Sequence, residues 1–113
     1  MAFKAVSYPK RGDVYLASLD KDRPVVILSV DILNRHALDV CVVPVTTVQR
    51  AQFSMRVPLL KGEGGLNHNS WAKCDQVTTL ERTFLHQKPL GTLPATKVQQ
   101  IEQQVKLALG LIG

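Results

Sequence analysis

Apolar residues fall in short runs separated by polar turns, and within most runs they alternate with a period near two. Val14-Tyr15-Leu16-Ala17-Ser18-Leu19 is a β-compatible run closed by the turn Asp20-Lys21-Asp22. Arg23-Pro24 then opens residues 25–30, a nearly unbroken β-branched segment of the kind buried on both faces. Pro24 lacks a ladder donor, which places it among that strand's first residues. Residues 40–45 predict a third strand with Thr46 and Thr47 at its exit, and residues 53–59 alternate as a half-exposed fourth. Residues 70–77 alternate again, setting Trp71, Lys73, Asp75 and Val77 on one face and Ala72, Cys74 and Gln76 on the other.

The connections are equally patterned. Residues 31–35 and 81–84 suit single helical turns, residues 61–65 form a turn with three glycines, and residues 89–93 suit a short strand. From residue 95 to 111 the period changes: Val98, Ile101, Val105, Ala108, Leu109 and Ile112 recur at helical spacing with Gln and Lys between them. Five or six short strands and one terminal amphipathic helix predict a mainly β, α+β chain, folded as a small curled antiparallel barrel. That topology serves many functions.

Composition narrows the picture. With 113 residues, 45% hydrophobic and 20% charged, the chain has room for one domain and one core. Residues 1–9 are expected to be a flexible lead and residues 10–113 the single domain. Fourteen Lys and Arg against nine Asp and Glu give a formal charge of +5, a field that favours polyanions or an acidic protein partner. Cys41 and Cys74 lie in apolar runs outside any C-x-x-C pair and read as reduced core thiols. No apolar leader opens the chain and no run approaches the roughly 18 apolar residues of a membrane span, so a cytoplasmic protein without membrane contact is expected.

No Walker loop, dinucleotide fingerprint, H-E-x-x-H or G-x-S-x-G is present. His36, His68 and His86 are far apart and read as loop residues, and no metal or other cofactor is expected. What remains stands at strand ends: Arg23 before the second strand, Thr46 and Thr47 after the third, and Lys73 with Asp75 in the Trp71 strand. Each has an ordinary reading, as a surface ion pair, β-propensity or a solvated face. Together they supply what metal-free RNA cleavage requires: a cation for charge developing on a phosphorane, hydroxyls to hold phosphate oxygens, and a carboxylate to move a proton.

Four segments in order carry a resemblance. Lys10-Arg11-Gly12-Asp13-Val14-Tyr15, Arg23-Pro24-Val25-Val26-Ile27, Val43-Pro44-Val45-Thr46-Thr47 and Lys73-Cys74-Asp75-Gln76-Val77-Thr78-Thr79 resemble the successive motifs of MazF/PemK/Kid toxins. The resemblance implies an SH3-like barrel, usually homodimeric, that cleaves single-stranded RNA at short sequences and is held by a cognate antitoxin with an acidic C-terminal tail. It implies Arg23 as the catalytic arginine, Thr46 as the catalytic or phosphate-holding threonine and Asp75 as proton carrier. It further implies RNA contacts from Thr47 and Gln76, and from Lys73 where relatives carry an arginine. Lys73 keeps that charge and loses the bidentate fork. Met55, Asn69 and Trp71 are candidates for base contacts, with a place in the core or at a dimer seam as the equal alternative for Trp71.

The chain departs from the family between its first two strands. Leu19-Asp20-Lys21-Asp22-Arg23 is shorter than the usual loop and lacks the histidine some members carry there. Either Asp75 and Arg23 share the proton transfers or another group enters, with His68 and Asn69 as candidates. Two alternatives use the same barrel: a gyrase-binding CcdB-like toxin, and a member that binds RNA or antitoxin without catalysis. The former rely on a Trp near the C-terminus, whereas the one Trp here is Trp71.

Overall fold

The computed structural model describes residues 8–49 and 55–111. The expected flexible lead lies mostly in residues 1–7, outside the described residues, as do residues 50–54 and 112–113; Pro9 is buried. The strands are β1 (Asp13–Ser18), β2 (Asp22–Ile27), β3 (Asp39–Thr46), β4 (Arg56–Leu59), β5 (Ser70–Lys73), β6 (Thr78–Glu81) and β7 (Gly91–Thr92). Two helices, α1 (Asp31–His36) and α2 (Ala95–Leu109), and two 3-10 turns at Glu63–Gly65 and Arg82–Phe84 complete the described chain. The sheet runs β4-β5-β3-β2-β1-β7, with β6 also on β3, and every pairing is antiparallel. The result is a curled half-barrel with the helix α2 packed across it, as the alternation predicts.

Burial on both faces explains the apolar run of β3 and of residues 25–27, but the second strand is shifted from its expected span: Arg23 and Pro24 lie inside β2, and Leu28, Ser29 and Val30 lie beyond its end. One face sends Val14, Val26, Val43, Val45, Val57, Leu59 and Ala72 inward against Ile101 and Val105 of α2. The other face carries Tyr15, Ala17, Val25, Ile27, Val40 and Val42, covered by Leu80 and Leu85. Full burial of a side chain such as Ile101 is worth roughly 1.5–3 kcal/mol, so α2 is fixed mainly by its apolar stripe. Polar ties then set its position: Lys97 Nζ donates to the Pro58 carbonyl at 2.7 Å, and Arg11 pairs with Glu102.

Three further expectations need correction. The Trp71 strand ends at Lys73, because residues 73–77 span the gap between Ala72 and Thr78 while only residues 43–44 separate their partners Val45 and Val42 on β3. The surplus residues bulge into a turn closed by the Gln76 N–H donating to the Lys73 carbonyl at 3.1 Å. Gln76 is therefore exposed instead of sharing the buried face of Ala72 and Cys74. After the bulge the chain rejoins β3 as β6, a strand the sequence pattern left out because Thr78, Thr79 and Glu81 are exposed. Finally, the strand expected over residues 89–93 shrinks to the two residues of β7, held on β1 by the pairs Asp13 with Thr92 and Val14 with Gly91.

Candidate functional site

The second apolar face does not cover the whole sheet. Val25 of β2 stands opposite Tyr15 and Pro44, and one step toward the open end Arg23 stands opposite Ala17. Beyond the last paired residues, Val25 and Pro44, the same register sets Arg23 level with Thr46. Thr46 pairs with Trp71 on β5, and Trp71 with Pro58 on β4. A second row lies beside the first, where Lys73 pairs with Arg56. Strand neighbours are about 4.8 Å apart and alternate residues share a face. Arg23, Thr46, Trp71, Lys73 and Arg56 thus form one polar surface across four strands, continuing the face that Val25 and Pro44 begin. The apolar patch ends where this surface starts.

Electrostatics agree with the register. Burial lowers the Lys73 pKa, Arg56 and then Arg23 lower it further, and Asp75 opposes them. Three cations therefore share one field, with like charges directly opposed on β4 and β5, an arrangement that costs stability in a sheet. An anion on this surface would offset that cost. Arg23 already has a partial one: its Nε and Nη2 donate to Asp20 Oδ1 and Oδ2 at 3.0 and 3.1 Å. The guanidinium holds the Asp20 carboxyl down to about 2, so the pair persists across the physiological range.

Thr46 is prepared for donation. Its Oγ1 accepts from the Val48 N–H at 3.1 Å, which leaves the hydroxyl proton free for a phosphate oxygen. Arg56 Nη1 donates to the Val48 carbonyl at 3.0 Å, so the peptide after the threonine pair is held from both sides. Asp75 and Gln76 lie exposed in the turn just beyond Lys73, and Thr47 is exposed beside Thr46. Trp71 is half-buried, at a register position on the polar face.

Two candidates stand apart. Met55 precedes β4, its carbonyl accepts from the Cys74 N–H at 3.1 Å, and its position continues the side of Val57 and Leu59. Asn69 Oδ1 accepts from the Lys61 N–H at 2.8 Å and so braces the 61–69 loop. His68 is exposed in that loop. Cys74 behaves as the expected core thiol: burial pushes its pKa up to about 11, which makes it inert. Among the described residues no three His, Cys, Asp or Glu side chains converge as a metal site would need, and no helix is long and apolar enough to cross a membrane.

Sequence reading missed Arg56 and Asp20. Arg56 sits in a run whose alternation was visible, but its placement opposite Lys73 depends on a register that sequence does not encode locally. Asp20 looked like a turn former, and only the tight β1–β2 connection brings its carboxylate onto Arg23.

The sequence profile of the family described as "PemK-like, MazF-like toxin of type II toxin-antitoxin system" matches residues 10–109. The chain belongs to the PemK/MazF toxin family. Among its relatives, the "Endoribonuclease MazF3" of Mycobacterium tuberculosis is 37% identical over 98 residues, which is 87% of this chain and 92% of that protein. The solved structure "Mycobacterium tuberculosis toxin MazF-mt6" superposes with a TM-score of 0.81 at 31% identity, covering 89% of this chain and 99% of the other. An "Endoribonuclease in complex with its cognate antitoxin from Mycobacterial species" superposes at 0.78 with 28% identity over 93% and 96% of the two chains. The segments that resemble PemK/MazF motifs reach the polar surface: Arg23-Pro24 supplies Arg23, Val45-Thr46-Thr47 supplies Thr46, and Lys73-Cys74-Asp75-Gln76 supplies Lys73 and its turn.

The Asp20–Arg23 pair gives a first test. A phosphate bound at Arg23 would have to share or displace this carboxylate, so Asp20→Asn is expected to tighten RNA binding a few-fold and steepen its salt dependence by about 0.7 in the log–log slope. Fluorescence anisotropy on an uncleavable 2′-deoxy-substituted strand measures both. Weaker binding or an unchanged slope would show that Asp20 does not compete with phosphate.

Proposed function

We propose that the chain is an endoribonuclease toxin of a toxin–antitoxin pair that cuts cytoplasmic single-stranded RNA at short sequences, with no metal in the chemistry. The observation that carries this reading is the alignment of Arg23, Thr46 and Lys73 on one sheet face, in a chain that matches the toxin family over residues 10–109. In the proposed reaction a ribose 2′-oxygen attacks the adjacent phosphorus while the bond to the 5′-oxygen breaks. The products are a 2′,3′-cyclic phosphate and a 5′-hydroxyl.

Asp75 takes the 2′-hydroxyl proton, and the 5′-oxygen leaves with a proton returned by Asp75 or by water. Arg23 stabilises the extra charge on the phosphorane; its guanidinium stays protonated, so its role is electrostatic. Thr46 donates its free hydroxyl proton to a non-bridging oxygen, and Lys73 holds the phosphate as a point charge. Half-buried Trp71 stacks on a splayed base in this reading, with Thr47 and Gln76 as further RNA contacts. Met55 and Asn69 act, in this reading, through the loops they support. The working unit is a homodimer, and the regulating partner is a cognate antitoxin such as the one bound in the mycobacterial complex; in this reading its acidic tail covers the same cations.

The test is incubation of the purified protein with a defined single-stranded RNA, with and without excess EDTA, beside the same strand annealed to its complement. Cutting of the single strand at equal rates in both buffers, with the duplex spared, is expected. Dependence on a divalent ion would contradict the mechanism.

A further inference from the structure

Arg56 stands where the polar surface meets the edge of the sheet. β4 is the edge strand of the sheet, and between it and α2 lies a cleft of about 260 Å³ lined by Arg56, Val57, Pro58, Gln100, Gln103 and Gln104. The three glutamines stand at i, i+3 and i+4 on α2 and so form one stripe, adjacent to the Ile101 and Val105 stripe that anchors the helix. Lys97 fixes the spacing of helix and strand through its bond to the Pro58 carbonyl. Arg56 belongs to both places: it faces Lys73 across the strand pair and it borders the cleft.

We propose that this cleft receives the base of a nucleotide flanking the scissile step, with Arg56 holding the intervening phosphate and the glutamine amides reading the base edge. The inference rests on the nuclease reading above and extends its site beyond the catalytic rows. Cationic Arg56 at the mouth complements the RNA backbone, and its fork suits a phosphate. Each carboxamide offers two donors and an acceptor without net charge, the chemistry that discriminates between base edges. The volume is below the roughly 300–1,000 Å³ of pockets that enclose drug-sized ligands, which suits one flat base entering from an open strand. Because Arg56 also holds the Val48 carbonyl, filling the cleft is coupled to the peptide that positions Thr46.

The experiment is cleavage of a randomised single-stranded RNA pool, with cut sites sequenced, by the parent protein, by Arg56→Gln and by the triple variant Gln100→Ala, Gln103→Ala, Gln104→Ala. Steady-state kinetics on the preferred site accompany it, and thermal melts check that each variant is folded. The triple variant is expected to lose about tenfold in preference at one flanking position and to raise KM more than it lowers kcat. Arg56→Gln is expected to raise KM with the base preference retained. A folded triple variant with the parent's cut-site profile and KM overturns the inference while leaving the nuclease reading intact. An unchanged profile with weakened antitoxin binding would assign the cleft to the protein partner and overturn it equally. A parent protein that cuts no RNA would defeat both.

Discussion

Arg23→Ala is expected to slow single-turnover RNA cleavage by about 10²- to 10³-fold, the usual cost of removing one preorganised group aimed at transition-state charge. Its folding should be preserved, because Arg23 is exposed at the start of β2 and Asp20, the partner it grips among the described residues, is exposed as well. Arg23→Lys separates charge from geometry. It keeps the cation and loses the fork that Asp20 grips, so it should recover part of the rate and fall short of the parent. Quenched-flow cleavage of a defined strand, with circular dichroism and a thermal melt for each variant, gives both readouts. A folded Arg23→Ala protein with the parent's rate would remove Arg23 from the site. A rate loss explained by unfolding would be equally damaging, since it would make Arg23 structural.

The second large effect is on stability, at the place where β7 closes the half-barrel. Gly65 has a φ of +74°, and a Cβ added there would lie 2.0 Å from the Leu90 carbonyl oxygen and 2.5 Å from its carbon. That contact is with backbone, so no side-chain rotation relieves it. Leu90 is itself tied to β1 by its N–H donating to the Val14 carbonyl at 2.7 Å, and the clash must therefore push against the core strand. Gly65→Ala is expected to cost on the order of 3 kcal/mol, lowering the melting temperature by roughly 10 °C or more. Gly62 is the control: its φ is +94° and no atom lies within 4 Å of the added carbon. Gly62→Ala should carry only the left-handed penalty of about 1–2 kcal/mol. Equal melting temperatures for the two variants would show that the approach of Leu90 is not what requires glycine.

Much of this was legible in the residues, for identifiable reasons. Burial on both faces leaves unbroken β-branched runs, so β3 and the second half of β2 announced themselves, while the polar start of β2 at Asp22 and Arg23 read as a turn, and α2 was clear from its period. β6 was hidden because its side chains are mostly exposed and its pairing with Asp39, Val40, Cys41 and Val42 is non-local. The end of β5 was misplaced for a related reason: alternation through Asp75 and Val77 looks like a strand, and only the shorter count on β3 forces the bulge. The candidate site shows the same division. Arg23, Thr46 and Lys73 could be named from motifs, each beside an ordinary alternative. Their shared face, the opposition of Lys73 to Arg56 and the grip of Asp20 on Arg23 are properties of register and loop length, which a linear pattern does not carry.

The central claim is that this polar surface cleaves RNA through the strand's own 2′-hydroxyl. Mass spectrometry of the termini left on a single defined RNA measures that directly. A 2′,3′-cyclic phosphate on the upstream fragment and a 5′-hydroxyl on the downstream one are expected, with no cutting when the scissile nucleotide is 2′-deoxy. A 3′-hydroxyl with a 5′-phosphate, or cutting that survives the deoxy substitution, would contradict it.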